Sequence, residues 1–231
     1  MRIHPSATGR RLFFGAVVSV GALAAPAVGA ATASAATIQL NAACYVSVNG
    51  MIPSVLITGT GFGPGDDVEI TGSGDSIDAD TTADANGDIS VTTDGPVAPL
   101  NPGARSFTVT ATDTDFDTGA TFTTVPVTGY ETQAGVTLSQ DIAKFTKSVT
   151  YNLGAFIPGG KIYAHYLVHG KLTGTHLFGT AAAPCGTLKT KATIYPISGR
   201  RPTGSYKVQF DDAKQYSKHA APRFVIKFKP F

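Results

Sequence analysis

Three carboxylates at alternate positions, Asp113, Asp115 and Asp117 in Asp113-Thr114-Asp115-Phe116-Asp117-Thr118-Gly119, are the residues best suited to metal chemistry. Hard calcium ions take oxygen ligands at such spacing. The glycine falls one place late for an EF-hand loop, and no glutamate follows at the twelfth position. The segment therefore reads first as a hairpin between the last two strands of a domain, and only second as a calcium loop. Asp75, Asp78 and Asp80 form a weaker acidic cluster. His165 and His169 lie four apart in a segment with strand composition, so they share a face but sit about 13 Å apart along it, too far to bridge one metal ion. No Gly-x-Ser-x-Gly elbow, no glycine-rich phosphate loop and no catalytic pair of acids is present. The expectation is no enzyme and no cofactor, calcium excepted.

Charge offers a different chemistry. Residues 36–130 contain twelve acidic side chains and one basic one, Arg105, for a formal charge of −11; residues 131–231 contain fourteen basic and four acidic, for +10. A net charge of +2 for the whole chain hides this split. Opposite halves can dock on one another, or the basic half can hold an anionic polymer. Outside a bacterium the candidates are teichoic acids, phospholipid head groups, acidic polysaccharides and extracellular DNA. Anionic cell-wall polymer or another envelope protein is the expected partner, and nucleic acid is not. A plain solvated surface is the competing reading.

Alternation along Lys161 to Val168 places Ile162, Ala164, Tyr166 and Val168 on one face and Lys161, Tyr163, His165 and Leu167 on the other. Lys161, Tyr163 and His165 are thus candidate exposed contacts for an anion. Lys189 and Lys191 share a face of what reads as a neighbouring strand, and Arg200 and Arg201 lie in a turn before Pro202.

The elements that hold these residues read as strands. Val, Ile, Thr, Phe and Tyr alternate with small polar residues, and Gly/Pro/Asn/Asp clusters recur every 8 to 12 residues, the spacing of a sandwich or barrel. Phe107, Val109 and Ala111 share one face of a strand, and Tyr206, Val208 and Phe210 repeat the device. Val136 to Lys144 is the weakest strand and could carry a helical turn. Phe62-Gly63-Pro64-Gly65 returns 94 residues later as Phe156-Ile157-Pro158-Gly159. Pro presets φ and Gly supplies positive φ for a tight turn, leaving each Phe to cap a core. A frame repeated at this period predicts two copies of one fold: an acidic domain, 36–130, and a basic domain, 131–231.

Residues 1–35 read as a signal peptide. Arg2, Arg10 and Arg11 precede an apolar run, Leu12 to Ala25, and Ala33-Ser34-Ala35 is an A-x-A cleavage pattern. Gly9-Arg10-Arg11-Leu12-Phe13-Phe14 also fits a twin-arginine signal, with the general secretory route open beside it. No second apolar run follows, so a secreted or surface-associated protein without a transmembrane segment is expected. Two cysteines in an exported chain most often pair, and a Cys44–Cys185 bond would tie one domain to the other; two buried thiols are the alternative.

Ile57-Thr58-Gly59-Thr60-Gly61-Phe62-Gly63-Pro64-Gly65, then Ala83-Asp84-Ala85-Asn86-Gly87, then Pro102-Gly103 through Phe107 to Asp113 resembles a bacterial immunoglobulin-like repeat of secreted surface proteins. Ile162 to Tyr166, Pro184 to Leu188 and Gly204 to Asp211 resemble the C-terminal immunoglobulin-like module of uncharacterised exported actinobacterial proteins. The resemblance implies two tandem immunoglobulin-like β-sandwiches and a non-catalytic adhesion module. Thr82 to Gly87 with the strand after it also resembles the neocarzinostatin type of chromophore-binding apoprotein, which implies a small-molecule carrier with two disulfides inside the domain. A structural spacer is the third reading.

Overall fold

The computed structural model describes residues 35–73, 77–97, 99–114, 121–139, 148–197 and 204–228, with the side chains of 114 and 121–124 excepted. Residues 1–34 of the expected signal peptide 1–35, Asp75, Asp115, Asp117, Arg200 and Arg201 therefore lie outside the described residues. Residues 34–231 form one compact unit.

Every regular element among the described residues is a strand, as the β-branched and aromatic alternation requires. Strands β1 (Thr37–Leu40), β3 (Ser54–Thr60) and β6 (Ile89–Asp94) form one sheet in the order β1-β3-β6. Strands β2 (Tyr45–Ser47), β4 (Asp67–Gly72), β5 (Asp78–Thr82), β7 (Arg105–Thr114) and β8 (Thr121–Gln133) form a second, in the order β2-β8-β7-β4-β5. All pairs are antiparallel except β2 with β8. Inward residues of both sheets meet in one core that includes Val55, Ile57, Val68, Ile70, Phe107, Val109 and Ala111.

The second half repeats this plan. Strands β9 (Gly135–Leu138), β10 (Ser148–Gly154) and β13 (Leu188–Thr193) form a sheet in the order β13-β10-β9. Strands β11 (Lys161–Val168), β12 (Lys171–Thr180), β14 (Tyr206–Asp211) and β15 (Phe224–Phe228) form another, in the order β12-β11-β14-β15. Their shared core is aromatic where the first is aliphatic. Tyr151 and Phe210 both meet Phe178 nearly edge-on, at 4.9 and 5.2 Å, and Tyr166 meets Tyr195 at 5.0 Å. Such edge-to-face pairs suit the quadrupoles of the rings.

The repeat extends to individual backbone hydrogen bonds. The Phe62 N–H donates to the Gly87 carbonyl and the Phe156 N–H to the Gly186 carbonyl, both at 3.1 Å. Gly65 N–H donates to Ala83 O, and Gly159 N–H to Ala181 O. Gly65 and Gly159 have φ of 86° and 78°, the positive values the turn needs. Phe62 and Phe156 are buried at the ends of their cores.

Two details refine the sequence reading. β9 covers Gly135–Leu138, and the segment from 140 to 147 lies outside the described residues. β8 passes position 130 and keeps Glu131, Thr132 and Gln133 in register with β2.

Candidate functional site

Cys44 and Cys185 form a disulfide, with Cα atoms 5.3 Å apart across 141 residues of chain. Around it, Ala134 N–H donates to Ser47 O, Gly103 N–H donates to Thr132 Oγ1, and the Arg105 Nε–H donates to buried Glu131 Oε1. The only basic side chain of residues 36–130 is thus held by an acid, and Arg105 also donates to Val97 O at 2.6 Å.

Asp113 is buried. Its Oδ2 accepts the Gly63 N–H at 3.2 Å, which makes it a brace for the Phe-Gly-Pro-Gly turn. Asp212 does the same in the other half, where its Oδ2 accepts the Ile157 N–H at 3.3 Å. The Oδ1 of each is buried without a hydrogen-bond partner among the described residues. Burial, and then the neighbouring Asp211 charge, push the Asp212 carboxyl above the usual range against the lowering effect of that N–H. Among the described residues no cluster of three His, Cys, Asp or Glu could hold a metal.

The predicted basic candidates do not gather. Lys161 is exposed at the start of β11 and Tyr163 is half-buried on the same strand. Lys189 and Lys191 are exposed on β13, which pairs with β10 rather than with β11, so they belong to the other sheet.

His165 corrects the sequence expectation. It does face away from the core, yet its exposure is 0%. The chain after β14 folds over it and forms a polar cluster on the outer face of the sheet. His165 Nε2 lies 3.0 Å from Ala213 O and 3.2 Å from Asp211 Oδ1; both are acceptors, so Nε2 carries a proton. Nδ1 is 2.9 Å from Thr175 Oγ1, and the Tyr216 ring lies edge-on at 5.7 Å. Gln209 Nε2 donates to Asp211 Oδ2 and to Ser217 O, both at 2.7 Å, and Ala213 N–H donates to Asp211 Oδ1. Hydroxyl, imidazole and carboxylate stand in series, an order nucleophilic hydrolases also use. Asp211 also accepts from Gln209 and Ala213, and the hydrogen bonds of His165 to Ala213 O and of Gln209 to Ser217 O tie the following segment to the sheet.

Sequence reasoning passed over a different basic pair. Lys207 on β14 and Lys227 on β15 face each other in register, and Leu167 on β11 completes the row. Beside them a cleft of about 330 Å³ is lined by Leu167, His169, Gly170, Ser205, Tyr206, Lys207, Lys227 and Phe228. His169 and Gly170 are the two-residue turn between β11 and β12, with φ of 50° and 78°. Two positive φ values mark the type I′ hairpin, where Asn-Gly is the usual pair. The strict alternation around Tyr206, Val208 and Phe210 already placed Lys207 outside; its partner needed the register.

Charge on the surface is more lopsided than the formal count. All nine described basic side chains of residues 131–231 are exposed, while its described carboxylates, Glu131, Asp211 and Asp212, are buried or half-buried. In residues 36–130 seven described carboxylates are exposed. Burial also pushes the Tyr151, Tyr166 and Tyr206 phenols up, and pushes the His176 imidazole down. Among the described residues no helix is long and apolar enough to cross a membrane.

No protein-family model and no curated protein matches the chain. Among solved structures, 85% of the chain aligns with the tetra-tandem repeat from the extending region of a large adhesion protein, at 16% identity and a TM-score of 0.30. The match covers 49% of that structure, so this chain spans about half its length. The human OSCAR ligand-binding domain aligns over 85% of this chain and 98% of its own, at 10% identity and a TM-score of 0.33. The YadV chaperone aligns over 83% and 98%, at 8% identity and a TM-score of 0.30. The description of the fold as all-β rests on the chain's own sheet order and register.

Proposed function

We propose that this chain is an exported, non-catalytic module of the cell surface, built as two tandem immunoglobulin-like sandwiches, whose basic second half holds an anionic polymer of the cell envelope. The observation that carries the reading is the surface charge: nine exposed basic side chains against no fully exposed carboxylate among the described residues of 131–231. A surface of one sign raises the local concentration of a polyanion and steers its approach. The disulfide fits an oxidising compartment outside the cytoplasm. The carrier reading has less support, because the cysteines join the two halves and leave neither half a disulfide of its own.

The test is co-sedimentation of the purified protein with cell-wall sacculi, with and without their teichoic acid, across a salt series. Pelleting that needs the anionic polymer and falls steeply with salt is the expected result. No pelleting even at low salt overturns the reading. Replacing Lys189, Lys191, Arg200 and Arg201 by neutral residues asks whether the residues singled out by the sequence take part.

A further inference from the structure

We propose that the cleft beside Lys207 and Lys227 is a binding site for a phosphate ester of a sugar or polyol. The assignment rests on the reading above and gives it a location and a ligand chemistry.

Four observations converge on the cleft. Like charges placed directly opposite on antiparallel strands repel, yet Lys207 and Lys227 are in register, and neither joins an ion pair among the described residues. An anion between the two ammonium groups relieves that repulsion and satisfies both. Lysine is a point-charge partner for phosphate, whose several oxygens can serve two lysines at once. The outward lining supplies an apolar patch, Leu167 and the lysine stems, against which the C–H face of a sugar or polyol packs. At about 330 Å³ the cleft has room for one such unit. His169, at a turn position with φ of 50°, places an imidazole on the wall of the same cleft.

The experiment titrates the full protein with glycerol 3-phosphate, and with glycerol as the neutral control, following backbone amides by NMR. Saturable shifts at Gly170, Ser205, Lys207 and Lys227 with the phosphate alone are expected. The K207Q/K227Q double variant should bind at least about tenfold more weakly, and K207R/K227R should retain binding. Both lysines are exposed, and an unchanged melting temperature confirms that the variants fold. Shifts that never saturate, or that centre on Lys189 and Lys191, overturn the assignment. The sedimentation assay separates this idea from the one it rests on. If K207Q/K227Q pellets as well as the unaltered protein, the cleft is wrong and the polymer reading stands. If nothing pellets while the cleft still titrates with glycerol 3-phosphate, the polymer reading falls and the cleft is a site for a free phosphate ester.

Discussion

Asp212 shows what a single carboxylate does in this fold. Its Oδ2 braces the Ile157 amide while its Oδ1 has no partner among the described residues, and burial raises its affinity for a proton. A carboxyl whose folded pKa is raised contributes stability below its unfolded pKa and loses it as pH rises through the folded value. Asp212→Asn keeps an oxygen for the Ile157 N–H and removes the charge. The variant should melt about 1–2 °C higher at pH 7, with the difference vanishing near pH 3, as followed by calorimetry. A lower melting temperature at pH 7 would show that the ionised form is the better brace. Neither Asp113 nor Asp212 was legible as a brace. Asp113 stood out as a calcium candidate because alternate carboxylates share a face, and its Oδ2 accepts an amide 50 positions earlier. His165 was misplaced for a related reason: alternation tells which face a side chain takes, and says nothing of a later segment that folds over that face.

At the scale of elements, the Phe-x-Pro-Gly turn was legible because its chemistry is local. Pro and Gly dictate the turn and Phe dictates its inner side. The loops that meet these turns were marked only by the resemblance, through Ala83 to Gly87 in the first half and Pro184 to Leu188 in the second, and Gly186 does there what Gly87 does in the first. A Cβ at Gly186 would lie 1.7 Å from Phe156 O, and at Gly87 2.2 Å from Phe62 O; both residues have positive φ, 61° and 78°. Gly186→Ala should therefore lower stability by about 2–4 kcal/mol in urea unfolding, and Gly87→Ala by a similar amount. If either costs under about 0.5 kcal/mol, the turns are not held by these close approaches. The lysine pair over β14 and β15 belongs to this scale too. Lys207 could be placed outside from its own strand, but which residue faces it depends on register, and that is set by the hydrogen bonds between β14 and β15.

For the whole molecule, the recurrence of the Phe-x-Pro-Gly turn was legible from the period, and the charge split from counting. Their combination is a chain with two cores, one covalent tie and a parallel pairing of β2 with the end of β8. The tie has a mechanical consequence. A pull applied between residue 35 and residue 228 reaches Cys44 and crosses to Cys185 through sulfur. The 141-residue separation between them then carries no tension, so strands β2 to β12, which lie within it, are not drawn out along the chain. In a single-molecule pulling experiment the oxidised chain should lengthen only through its two ends. Adding a reductant should release about 500 Å of further contour length in the same molecule. Equal extension with and without reductant would mean that the load does not run through the bond. A chain tied in this way therefore behaves under tension as a short stiff link, and the reducing power of its surroundings sets whether it becomes a long compliant one.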